Sequence, residues 1–188
     1  MVRSIVRFAA FVAVIGAAYG DVDFTPKESF YLAESTKVPN VAFRNGSTPV
    51  TYSPPGGWTL SGGGSKVTLS PPDKPQAGAT MQTETITNLL PATEENVKAY
   101  SELAVSRLPR EALKVTVIDA VVCPLRFDSK TMVEVTLSYV HFGQQFSTNM
   151  VLLPYKKELI TFQVTARTPD FAPVAKAFRA SLYSMQGL

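Results

Sequence analysis

Two side chains draw attention first as possible nucleophile or proton carrier: the single histidine, His141, and the single cysteine, Cys123, of a 188-residue chain. One histidine cannot build a multi-histidine metal centre, and one cysteine can form neither an internal disulfide nor a cysteine-based zinc cluster. His141 falls at the end of an alternating segment, Val133 to His141, and on a strand register it lies among Tyr139, Phe146 and Ile118 with no carboxylate on its face. A structural imidazole is the expectation, because acid–base work needs an orienting partner within reach. Cys123 stands in Ala120-Val-Val-Cys-Pro-Leu125. A thiol buried in such a strand has a raised pKa and is inert, so Cys123 reads as core. The Gly62-Gly63-Gly64 run has no following Lys-Ser/Thr and no helix start, which makes it a hairpin turn rather than a phosphate cradle. No nucleophile elbow, dinucleotide fingerprint or His-Glu-x-x-His pattern occurs.

What remains is a group of polar residues placed mid-strand: Asp119, Glu134, Thr136, Ser138, Ser147 and Asn149. Burying such groups without partners costs about 1–3 kcal/mol each, so they must be solvated, bonded to one another, or covered by something outside the chain. Two readings follow, a solvated gap beside a covering helix or a partner or ligand surface; the candidates for the second are Asp119, Thr136, Ser138 and Asn149. Asp119 and Glu134 come out too far apart along the strands to share a site, and no catalytic, cofactor-binding or metal-binding residue is assigned. Trp58 beside Pro54-Pro55-Gly56-Gly57 reads as a core anchor, and Lys156-Lys157 as a hairpin tip.

The elements that must hold these residues follow from periodicity and breakers. Residues 21–48 carry Pro26, Pro39 and Asn45-Gly46 without clear periodicity and read as a lead-in arm, with a short ordered piece at Phe30-Tyr31-Leu32. From residue 49 to 188 the chain reads as one domain. Short strands are expected at Pro49–Ser53, Trp58–Leu60, Lys66–Ser70 and Ala79–Thr87, and a helix capped by Thr93 to about Leu108. Four longer strands follow, Leu113–Phe127, Met132–Phe142, Gln145–Tyr155 and Leu159–Arg167. Two-residue turns are expected at Ser129-Lys130, Gly143-Gln144 and Lys156-Lys157. A second helix runs from Asp170, as its cap, to about Met185 with Phe171, Val174, Phe178 and Leu182 on its apolar stripe.

Alternation puts Ile118, Ala120, Val122, Val133, Val135, Leu137, Tyr139, His141, Phe146, Met150 and Leu152 on one face. Val121, Cys123, Val151, Leu153, Ile160, Phe162 and Val164 share the other with the polar group. Both faces need covering, which predicts an α+β fold: an antiparallel sheet of about six to seven strands flanked by helices on both faces.

Residues 1–20 read as a secretory signal, with Arg3 and Arg7, the apolar run Phe8 to Ile15 and the small-residue exit Gly16-Ala-Ala-Tyr-Gly20. Cleavage after Ala18 or Gly20 fits equally. The apolar run is short against the ~20 residues of a bilayer span, so no stable membrane insertion is expected once the signal is removed. The formal charge of +3 becomes nearly neutral without the two signal arginines, which argues against a nucleic-acid partner.

The motif Tyr52-x-Pro-Pro-Gly-Gly-Trp58, the strand Ile160-Thr-Phe-Gln-Val-Thr-Ala166, the pair Asp170-Phe171 and the closing Phe178-Arg-Ala-Ser-Leu182 occur in a distinctive order. From about Pro49 to Gln186 the chain resembles the PsbP/Mog1-like α/β/α sandwich proteins, including exported bacterial members of the DcrB type. That resemblance implies a non-enzymatic binding role, since members serve as photosystem assembly or extrinsic subunits, as a Ran-binding factor or as exported proteins. The expectation is a secreted or periplasmic accessory protein whose partner is another envelope or secreted protein. The alternative is a small-molecule carrier with a pocket between sheet and helix. An enzyme using Asp119 or Glu134 would need an orienting base or metal set that the sequence does not show.

Overall fold

The computed structural model describes residues 21–127 and 130–188, with the side chains of 33 and 124–127 left aside; the expected signal segment lies outside the described residues. Among the described residues ten strands form: β1 (Val22–Ala33), β2 (Thr36–Asn45), β3 (Thr48–Tyr52), β4 (Thr59–Gly63), β5 (Lys66–Ser70), β6 (Gly78–Thr85), β7 (Leu113–Phe127), β8 (Lys130–His141), β9 (Gln144–Tyr155) and β10 (Glu158–Arg167). A 3₁₀ turn (Glu94–Asn96) leads into α1 (Val97–Ser106), and α2 (Thr168–Leu182) closes the order. The fold is α+β and mostly sheet. Strands β4-β5-β6-β10-β9-β8-β7 make one fully antiparallel seven-stranded sheet. The last strand, β10, is inserted at its centre, between β6 and β9.

Side-chain alternation divides the core in two. Val67, Leu69, Met81, Val151, Leu153, Ile160, Phe162 and Val164 cluster with Val174, Phe178 and Leu182 of α2. Val133, Val135, Leu137, Met150, Leu152 and Leu159 cluster with Tyr100 and Ala104 of α1. Neighbours along each strand thus join different clusters, as the pleat requires. Trp58 is half-buried and stacks on Phe178, ring centroids 6.4 Å apart and planes at 9°.

The segment expected to be an irregular arm is instead a hairpin. β1 and β2 pair, β3 adds to β2, and this small sheet places Val22, Phe24, Phe43, Val50 and Tyr52 in the α2-side core. The sequence hides it because only a few of its side chains turn inward. Beyond Lys27 the ribbon projects with Phe30, Tyr31 and Leu32 exposed, so no alternation of polar and apolar residues marks it. Tyr52 reaches from β3 to α2, its hydroxyl 2.7 Å from Ser181 Oγ, and burial raises its pKa.

Several local expectations also shift. The β8–β9 turn is Phe142-Gly143, not Gly143-Gln144; both residues have positive φ (49° and 74°), the geometry that suits a right-twisted hairpin. Phe127 pairs with Lys130, so Lys130 belongs to β8; Ser129 lies outside the described residues. Gly62 and Gly63 are inside β4, and the turn follows them. Asp170 is not the cap of α2. Arg167 is, and Pro169 occupies the first turn with Asp170, which pairs with Lys74. Thr93 precedes the 3₁₀ turn, but its hydroxyl accepts from the Asn96 side chain rather than from a helix amide.

Candidate functional site

The mid-strand polar residues do assemble. Asp119, Thr136 and Asn149 sit directly opposite one another across β7, β8 and β9, with Ser138 opposite Ser147 one step along. Asn149 Nδ2 donates to Thr136 Oγ1 and to Glu134 Oε1, both at 3.0 Å. Arg179 of α2 pairs with Glu134, and Cys123 Sγ donates to Glu134 Oε2 at 3.4 Å. Helix α2 thus pins the row at one flank through Arg179. Thr136, Ser138 and Asn149 are half-buried there, while Asp119 at the edge is exposed.

The β7–β8 register differs from the expected one. The turn falls one residue earlier than expected, with Phe127 paired to Lys130, and an irregularity between Cys123 and Phe127 shifts the pairing further, so Asp119 faces Thr136 and lies diagonal to Glu134 instead of remote from it. A separate bulge between Val117 and Asp119 throws Ile118, expected in the α1-side core, outward to 59% exposure. β7 is therefore an apolar edge, with Leu113, Val115, Val117, Ile118 and Val121 all exposed beside Asp119.

His141 gains a carboxylate that its strand face does not supply. Glu111, from the segment before β7, brings Oε2 to 3.9 Å from Nε2, and the ring lies against Phe142 and Phe146. Glu111 is exposed and no nucleophile is placed with the pair, so the arrangement reads as a surface contact. Cys123 is 2% exposed. Thiol reagents should modify it only at the rate of unfolding, measured by mass spectrometry across a denaturant series; prompt modification of the native protein would refute its burial.

A second polar surface lies on the opposite side of the sheet, and the sequence reading missed it. α1 packs over β7 and β8, leaving the same face of β5, β6 and β10 without a helix. Lys66, Thr80, Gln82, Gln163 and Thr165 floor a groove of about 660 Å³ there, walled by Arg107, Leu108, Pro109, Pro75 and Tyr139. Gln163 Nε2 donates to Thr165 Oγ1 at 3.2 Å, and Thr165 and Thr148 hydroxyls lie 2.7 Å apart. Arg107 pairs with Glu84 and donates to Thr161 Oγ1, and burial lowers its pKa. The signal was present as polar residues at every second position of β5, β6 and β10, a pattern that an apolar-face search passes over.

Other depressions are less built. Asp21, Asp23, Thr25 and Arg44 line an open one. There the hydroxyl and amide of Thr25, with Arg44, hold the Asp23 carboxyl down to about 2. An apolar cavity of about 190 Å³ beneath α1, lined by Ile86, Leu89, Leu90 and Leu103, falls below the usual 300–1,000 Å³ of small-molecule sites. Among the described residues no group of three or more metal-ligating side chains converges, and no helix is long and apolar enough to cross a membrane.

No protein-family model and no curated protein matches the chain. Solved structures do. The Pseudomonas aeruginosa protein of unknown function PA94 is 12% identical with a TM-score of 0.52, over 86% of this chain and 97% of that one. LpqN of Mycobacterium tuberculosis, involved in cell envelope biogenesis, is 12% identical with a TM-score of 0.51, over 86% and 91%. Cyanobacterial PsbP (CyanoP) of Synechocystis sp. PCC 6803 is 12% identical with a TM-score of 0.50, over 74% and 86%. The chain has a PsbP-like fold, in agreement with the resemblance carried by its element order. At such identity the likeness speaks for the fold alone.

Proposed function

We propose that this chain is an exported, non-enzymatic accessory protein that docks another protein of the envelope or extracellular space, on an α/β/α scaffold with α1 and α2 covering opposite faces. The observation that carries the reading is the apolar edge β7. Exposed strand edges of this kind attract pairing partners, and this one adjoins a ready-made polar row. Asp119, Thr136, Ser138 and Asn149 supply hydrogen-bonding groups next to Val117, Ile118 and Val121, the mixture of apolar anchor and polar rim found at protein interfaces. The likeness in fold to LpqN supports an envelope role, and the Arg-flanked apolar run at residues 1–20 supports export.

A photo-crosslinking side chain at position 118, in the source cell, tests this reading. The exported pool should carry an N-terminus at Tyr19 or Asp21 and yield one discrete cross-linked species. The same group at Lys98, exposed on α1, should yield none. Intact Met1 in the mature pool would overturn export, and equal capture from both positions would overturn the docking edge.

A further inference from the structure

We infer that the groove floored by β5, β6 and β10 binds an acidic glycan chain. This goes beyond the docking of a protein partner and stands on the other side of the sheet from Asp119 and Asn149. The floor offers side chains of one chemical kind, hydroxyls and amides, in a grid set by the strand pairing. Thr80 faces Gln163 and Lys66 faces Gln82, with Thr165 one step along β10 from Gln163. Hydroxyls and amides both donate and accept, which matches the alternating needs of sugar hydroxyls.

Charge decides what kind of glycan. The lining groups include two cations, Lys66 and Arg107, and no carboxylate. Glu84 pairs with Arg107 and offsets its charge, which leaves the exposed Lys66 as the uncompensated cation of the lining. A sugar acid or a phosphorylated polyol would complement that excess.

A peptide fits less well. β6 lies between β5 and β10, and β10 between β6 and β9, so the backbone groups of the floor are spent in ladders and cannot take up an added strand. A nucleic acid fits less well again, because two cations are too few for a phosphate track and the floor presents no exposed aromatic ring for base stacking.

Calorimetric titration of the purified full chain tests the inference with five probes: oligogalacturonate, a ribitol-phosphate oligomer, neutral dextran, polyglutamate and oligo-dT. Oligogalacturonate or the ribitol-phosphate oligomer should bind at least tenfold more tightly than the other three, and the tighter of the two distinguishes a carboxylate from a phosphate source. Lys66→Ala and Gln163→Leu should each weaken that binding at least tenfold, with unfolding midpoints checked alongside. Lys98→Ala on α1 should change nothing. Failure of both acidic polyols to bind would overturn the inference. So would equal binding of polyglutamate or oligo-dT, or loss with Lys66→Ala but not with Gln163→Leu, since each reports charge without recognition. None of these outcomes bears on cross-linking at position 118.

Discussion

Phe178→Ala should cost about 3–5 kcal/mol of stability, the range for an aromatic ring removed from a packed core. Phe178 is 2% exposed and stands where α2, the small sheet and the seven-stranded sheet meet. Its ring also forms one wall for Trp58, the only tryptophan, so the variant carries its own reporter. With the wall gone, water reaches the indole and native emission should move to the red before any unfolding. The thermal midpoint should fall by roughly 10 °C for a chain of this size. A fall under about 2 °C with unchanged emission would mean that the α2-side core is not arranged as described.

Leu137→Ala should cost about 2–5 kcal/mol by the same mechanism, from the other cluster. Leu137 is fully buried with Val135, Met150 and Tyr139 under α1. Here the reporter should stay silent: Trp58 belongs to the opposite cluster, so native emission should match wild type while the urea midpoint falls. Because the two side chains share no neighbours, losses in the double variant should add to within about 0.5 kcal/mol. Strong non-additivity would show that the two halves of the core are coupled through the sheet.

Which parts of this architecture could be read from the sequence depended on what each strand faces. β5, β9 and β10 were recognisable to within a residue because Pro71-Pro72, Lys156-Lys157 and the run from Leu159 to Arg167 punctuate clean patterns. The facing of Val135, Leu137 and Met150 against Cys123, Leu153 and Phe162 was legible too. The Lys156-Lys157 turn falls where expected, and the other two were misplaced by even steps in pairing, which leave side-chain parity intact. The bulge before Asp119 was not legible, because a bulge adds a residue without a characteristic residue type. It is what moved Ile118 out of the core, while the irregularity between Cys123 and Phe127, equally unmarked by residue type, brought Asp119 toward Glu134. The β1–β2 hairpin escaped notice for the opposite reason: its register is regular beyond Lys27, but little of it is buried. Of the candidate surface, the polar row was visible as misplaced hydrophilic residues, whereas its link to α2 through Arg179 is a tertiary contact that no local pattern announces.

The central position of β10 has a consequence for how the chain comes into being. β4 to β6 finish at Thr85, yet the strand that joins them to the rest of the sheet begins at Glu158. Until that stretch has left the ribosome, β6 lacks its neighbour β10 and the early strands cannot join β7 to β9 in one sheet. The closing contacts span much of the chain, which slows the final step relative to helical domains of equal size. A nascent chain of this topology therefore keeps the edge of β6 open for much of its synthesis, and any factor that binds unpaired strands has that interval in which to engage it.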